Sequence, residues 1–142
     1  MNKLKIFENA EFGQVRTVQL NNDFLGCFYL LEYGGHVKIG STKQPHIRMQ
    51  ALRRNAESYG DVRIGRLALS TPHTNYRENE KMLHQSFKPY RKSGTELFEV
   101  AFDDALKMFA AISIKYLDES DELDRNADIV CDGFKRFLLG GV

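Results

Sequence analysis

A chain of 142 residues with 42% hydrophobic content, ten Phe and six Tyr holds enough apolar material for one domain with a buried core and small appendages. No run approaches the roughly 18 apolar residues of a membrane span, and the start, with Lys3 and Lys5 but no apolar stretch, excludes a secretion signal, so a soluble cytoplasmic protein is expected. The net charge of +1 conceals a division: residues 36–92 carry twelve Lys/Arg against four Asp/Glu, while residues 93–142 carry five against eleven. A basic middle beside an acidic tail is the pattern of a chain with one face turned to phosphate, and equally of two ordinary solvated faces.

In chain order, β-branched residues in 14–20 and the turn-forming cluster Asn21-Asn22-Asp23 predict a short β-hairpin over residues 4–20. Residues 27–32 (CFYLLE) and 36–41 (HVKIGS) predict a second hairpin, turning at Gly34-Gly35, where glycine permits positive φ. Ile47, Met49, Leu52 and Ala56 recur at near-helical spacing behind Pro45, which predicts a helix over 45–55. Residues 62–69 read as a strand. A helix capped by Thr74 or Asn75 then runs through Met82 and Leu83 to Phe87 and is stopped by Pro89. Residues 96–100 have strand character, helical spacing returns over 102–116 and 129–139, and the acidic stretch 118–128 reads as a linker or short helix. Cys27 and Cys131 lie far apart without a CxxC pair, which suggests buried thiols rather than a disulfide framework or a zinc site. The fold class expected is α+β, a small, mainly antiparallel sheet flanked by helices, with an N-terminal β-hairpin and C-terminal helices.

The 27–41 hairpin contains Cys27-Phe28-Tyr29 and, after its turn, Lys38-Ile39-Gly40-Ser41-Thr42. Arg48 follows ten positions after Lys38, and further on stand Glu80, Leu83, His84 and Phe87, then Arg91, Gly94 and Glu96-Leu97-Phe98. In this order the pieces resemble the phage-type branch of the GIY-YIG endonuclease superfamily, with Tyr29 ending the first motif and Lys38-Ile39-Gly40 standing for the second. The resemblance covers about half of the chain and implies a nuclease domain over residues 25–100, between an N-terminal segment 1–24 and a helical extension 101–142. A shorter stretch, Ile6-Phe7 through Phe12-Gly13-Gln14-Val15-Arg16-Thr17-Val18, resembles the opening of the BRO-N domain of phage antirepressors.

The resemblance implies phosphodiester hydrolysis assisted by Mg2+ or Mn2+, a reaction needing an activated water and stabilised phosphate charge. Glu80 is then the metal ligand. By spacing alone it is a surface glutamate of an amphipathic helix. Arg48 offers a planar fork of donors to the phosphate, where otherwise it is one of the solvated arginines Arg48, Arg53 and Arg54. Tyr29 is either a core tyrosine or a group that positions or deprotonates water, and His84, one turn after Glu80, is a site group or a structural histidine. Lys38 departs from the family's second tyrosine. An ammonium stabilises phosphate but is a base only when its pKa is lowered. Glu96 orients the site or flanks its strand. Gly40 lets backbone and substrate approach closely.

Lys43, Arg53, Arg54, Arg77 and Arg91 are the candidate nucleic-acid contacts, and Tyr59, Tyr76 and Tyr90 are aromatics able to stack on unpaired bases or to pack inside. The expected partner is DNA or RNA. The other readings are a binding module of this fold without turnover, and a phage counter-defence protein acting on a host nucleoprotein.

Overall fold

The computed structural model describes residues 4–18, 20, 23–58 and 62–116. Five strands form one antiparallel sheet, β1 (Leu4–Phe7), β2 (Cys27–Tyr33), β3 (His36–Thr42), β4 (Ile64–Ser70) and β5 (Leu97–Phe98), in the order β1-β4-β2-β3-β5. The predicted α+β class is therefore observed. The sheet carries α1 (Pro45–Ser58) on one face, and α2 (Tyr76–Ser86) with α3 (Phe102–Ala110) on the other.

The β2–β3 hairpin forms as its sequence dictates. Gly34 and Gly35 take φ of 57° and 84°, the two positive values that a tight turn of matching twist requires. The strands then pair from Tyr33↔His36 back to Cys27↔Thr42. Because neighbouring side chains point to opposite faces, Cys27, Tyr29 and Leu31 join Met49, Leu52 and Ala56 of α1 in one core. Phe28 and Leu30 join Leu83, Phe87, Phe98, Phe102, Ala105 and Phe109 in the other. Cover on both faces explains why β2 is a continuous apolar run rather than an alternating one.

The hairpin predicted over residues 4–20 is not formed. β1 pairs with β4 instead, from Leu4↔Ser70 to Phe7↔Leu67, and a 3-10 helix spans Asn9–Thr17. Phe12 and Val15, three apart, fall on one side of a helix with three residues per turn and are both buried. A capping box between Glu8 and Glu11 closes its start. Arg53 of α1 donates to the Asn9 carbonyl at 2.8 Å and lies 4.7 Å over the Phe12 ring, so tertiary anchors outweigh the local β preference.

Other boundaries shift modestly. α1 runs on to Ser58, β4 begins at Ile64, β5 shortens to two residues, and α3 stops at Ala110. Asn75 stands at the N-cap of α2, but its side chain donates to the Lys115 carbonyl at 2.9 Å rather than to the helix. α3 is part of the core, tied to the sheet by Arg66, which reaches Glu32 at 3.2 Å and Asp103 at 2.9 Å. Tyr59, Cys131, the acidic stretch 118–128 and the helix predicted over 129–139 lie outside the described residues. Cys27 is fully buried, and burial pushes its thiol up to about 12, against a smaller lowering by Ser70, which makes it an inert core group. Among the described residues, no helix is long and apolar enough to cross a membrane.

One consequence of the short β5 positions everything that follows. β5 pairs only with Val37 and Lys38, and one further backbone bond joins the Ile39 amide to the Glu96 carbonyl at 3.2 Å. Residues 40–42 of β3 are left at the edge of the sheet, where side chains from both faces can meet.

Candidate active site at the sheet edge

Tyr29 on β2 lies directly across from Gly40 on β3. A Cβ at position 40 would sit 2.4 Å from the Tyr29 hydroxyl and 2.7 Å from Cζ. Only glycine there lets the phenol lie across β3 toward the open edge, a physical reason for the tyrosine and glycine to occur together in the two motifs. Arg48, on the second turn of α1, points its Nη1 at the hydroxyl from 3.4 Å, a long hydrogen bond in which the phenol oxygen accepts. Burial is the largest influence on Tyr29 and raises its pKa. Arg48 lowers it in part, and the charges of Glu96 and Glu80 add to the rise. The phenol therefore keeps its proton at neutral pH while its oxygen accepts from Arg48.

From the opposite face, α2 brings Glu80 and His84 to the same edge, one helical turn apart. The Ser41 hydroxyl donates to Oε1 of Glu80. His84 Nε2 lies 3.4 Å from Oε2 of Glu80 and 2.9 Å from the Ile39 carbonyl, an arrangement that calls for a proton on Nε2. For Glu80, burial is the largest single influence and acts upward. The hydrogen bonds from His84 and Ser41, with the charges of His84 and Arg48, outweigh it and hold the carboxyl below its ordinary range. Glu80 in turn raises His84, against its partial burial. That Arg48 and Glu80 sense each other's charge places the two halves of the site within electrostatic reach.

The sign of each shift defines a pH window. The contribution of Glu80 to stability is present above the ordinary carboxylate value and is lost as pH falls through its lowered one. The contribution of His84 is present below the ordinary imidazole value and is lost as pH rises through its raised one. The stability difference between wild type and Glu80→Gln, followed by urea unfolding across pH, should peak between the two ordinary values and shrink on both sides. A flat difference would show that the pair does not couple to folding.

Two hollows flank this centre. One, of about 710 Å³, is lined by Glu80 and His84 with Arg77, Lys81, Lys88 and Arg91. The other, of about 660 Å³, is lined by Arg48, Lys43, Gln44, Thr42, Tyr76 and Arg77, with Leu20, Asp23 and Leu25. Both include Ser41 and Arg77, so they form one groove passing over the β3 edge.

The structure thus gathers Tyr29, Arg48, Glu80 and His84, and it lines their groove with Lys43, Arg77 and Arg91. Tyr29, fully buried behind Arg48, lines neither hollow, and three other candidates also lie outside the groove lining. Lys38 sits with its Nζ 3.8 Å from Glu96 and 5.7 Å from the centre of the Tyr33 ring. Arg53 is engaged by Asn9 and Phe12, and Arg54 is exposed on α1 away from both hollows. Tyr76 is only 6% exposed and packs inward, whereas Tyr90 stays 41% exposed between Lys88 and Arg91. Lys88, one of the basic residues interleaved with the tyrosines in the sequence, also lines the groove, whereas neither Ser41 nor Lys81 is given a role by the sequence. Ser41 follows Lys38-Ile39-Gly40, and the strand alternation, which sends it to the face opposite Gly40, was the signal that could have found it.

Among the described residues, no three His, Cys, Asp or Glu cluster as a metal cage would require. A single ionised carboxylate opening on a cationic groove does fit a Mg2+ ion that keeps most of its waters and takes its other ligands from phosphate.

The family description of the T5orf172 domain matches residues 26–113, a span that holds β2 through α3 and every groove residue except Leu20, Asp23 and Leu25. No curated protein and no solved structure matches this chain.

Proposed function

The chain belongs to the T5orf172 domain family, and from that premise and the groove we propose that it is a divalent-metal-dependent endonuclease of GIY-YIG type, hydrolysing phosphodiester bonds in DNA or RNA. The domain is one found in phage-associated proteins, often described as related to GIY-YIG- and HNH-like nucleases and compatible with nucleic-acid interaction. The observation that carries the reading is the meeting of Arg48 from one face with Ser41, Glu80 and His84 from the other, in one cation-lined groove, with the buried Tyr29 hydroxyl behind Arg48.

In this reading the water oxygen bonds to phosphorus as the bond from phosphorus to the leaving sugar oxygen breaks. The water gives up a proton and the leaving oxygen gains one. Glu80 would hold Mg2+ or Mn2+, which would supply Lewis-acid relief of phosphate charge and a more acidic water. Ser41 and His84 fix the Glu80 carboxylate and keep it ionised. Arg48 presents its fork to a non-bridging phosphate oxygen, and the buried Tyr29 hydroxyl, accepting from Nη1, seats the guanidinium from behind. Lys38 and Glu96 set the charge beneath the site, because Glu96 acts on both Tyr29 and His84.

The test is cleavage of plasmid DNA and structured RNA with Mg2+ or Mn2+ by wild type and Glu80→Gln. A second reading, binding without turnover, is favoured by two observations: Lys38 stands where the related motif has a tyrosine, and burial keeps Tyr29 protonated. Tight binding with no cleavage by either form selects it.

Both readings predict that affinity falls steeply with salt, because Lys43, Arg48, Arg77, Lys88 and Arg91 release counterions when they meet phosphate. Arg77→Ala, at the junction of the two hollows, should weaken binding across sequences and lower the log-log salt slope by about one. An unchanged slope would remove Arg77 from the phosphate path.

A further inference from the structure

The groove has an aromatic rim that the proposed chemistry does not use. Phe24 is 78% exposed, the most exposed of the large apolar side chains among the described residues. Its chain neighbours Asp23 and Leu25 both line the hollow that holds Lys43, Arg48 and Arg77. Three cations face one carboxylate there, so the hollow is cationic as well as open. An exposed phenyl ring on a residue whose two chain neighbours line a cationic hollow has the chemistry of a base-stacking platform. Any base offers a π-face, and the neighbouring cations track the backbone. Bases inside a duplex already stack on each other and cannot take such a ring, whereas an unpaired base can. Tyr76, in the same hollow, is too buried to serve, which leaves Phe24 as the exposed aromatic at this end of the groove.

We infer that Phe24 stacks on an unpaired base of a single-stranded segment whose adjoining phosphates lie on Lys43, Arg48 and Arg77. The inference rests on the nucleic-acid reading of the groove and deepens it by naming the substrate class, a strand unpaired next to the reacting phosphate.

The chain has no tryptophan, so Phe24→Trp adds a single reporter of stacking. Binding is measured by fluorescence anisotropy on the full chain in EDTA, which separates it from cleavage. The probes are labelled oligothymidylate and oligouridylate of about twelve nucleotides, and a duplex of similar length. Phe24→Ala should lose about tenfold in affinity for one or both single strands and little for the duplex, and Phe24→Trp should bind as wild type with its emission quenched on saturation. The oligothymidylate and oligouridylate arms tell DNA from RNA. One abasic nucleotide should weaken wild-type binding but leave Phe24→Ala indifferent, the coupling expected of a direct contact. Wild-type affinity of Phe24→Ala for both single strands would overturn the inference. So would an equal loss on the duplex, unquenched emission, or a change confined to oligomeric state in sedimentation, which would mark Phe24 as a contact between copies. If no probe binds wild type, the nucleic-acid reading itself falls. If binding follows this pattern and no cleavage occurs, only the hydrolytic reading falls.

Discussion

Glu80→Gln is expected to lower the cleavage rate by roughly 100- to 1000-fold, the scale on which removing one preorganised charged group acts. The substitution suits the site because glutamine has the same shape and its carbonyl oxygen can still accept from the Ser41 hydroxyl. The fold should survive, whereas Glu80→Ala would also strip partners from Ser41 and His84, two hydrogen-bonding groups only partly open to water. What glutamine lacks is the charge that would hold the ion, so activity should not return with higher Mg2+ or with Mn2+. Nucleic-acid binding in EDTA should be retained or slightly strengthened, since a negative charge leaves the groove. Cleavage by Glu80→Gln at the wild-type rate would sink the assignment of Glu80. Arg48→Lys provides the companion measurement, because it keeps the charge and loses the fork. A large loss of rate with little loss of binding would place Arg48 at the reacting phosphate.

The second large effect concerns Gly40. Its φ is not in the left-handed region, so the demand for glycine here comes from space alone. An alanine methyl would sit 2.4 Å from the Tyr29 hydroxyl, and that ring is fully buried between β3 and α1. Relief requires the ring or the strand to move, as in other overpacked cores, at a cost of about 1–3 kcal/mol. Gly40→Ala should lower the unfolding free energy by that amount in urea titration and disturb the contact of Tyr29 with Arg48, reducing cleavage as well. Adding Tyr29→Phe removes the nearest clashing atom but not Cζ at 2.7 Å, so the double variant should recover part of the stability. It should recover none of the activity if the hydroxyl seats Arg48. Stability unchanged by Gly40→Ala would show that the ring moves freely, and would remove the explanation offered here for the pairing of tyrosine and glycine.

The core of the site was legible in the sequence because its information is local and ordered. The Gly34-Gly35 turn sets the β2–β3 register, and that register alone puts Tyr29 opposite Gly40. Pro45 starts α1 and so dictates where Arg48 falls on it, while the spacing of four residues sets Glu80 and His84 side by side on α2. The sequence is silent where a residue's surroundings depend on a distant partner. Arg53 meets Asn9 and Phe12. Lys38 meets Glu96 and Tyr33.

By itself, then, the amino-acid sequence determined the α+β class, the central hairpin and the three helix starts, while the family resemblance, not periodicity, singled out four side chains. Periodicity and turn chemistry act within a few residues and need no knowledge of the rest of the chain. Only the tertiary structure decided that β1 pairs with β4 across the sheet instead of folding back on its neighbour. It alone decided that a short β5 opens the edge of β3, where Arg48 and Glu80 come within electrostatic reach from opposite faces. It alone decided that Tyr76 is buried while Phe24 is 78% exposed. Those outcomes depend on which surfaces meet, and burial is settled by the packing of the whole domain rather than by the identity of any one side chain.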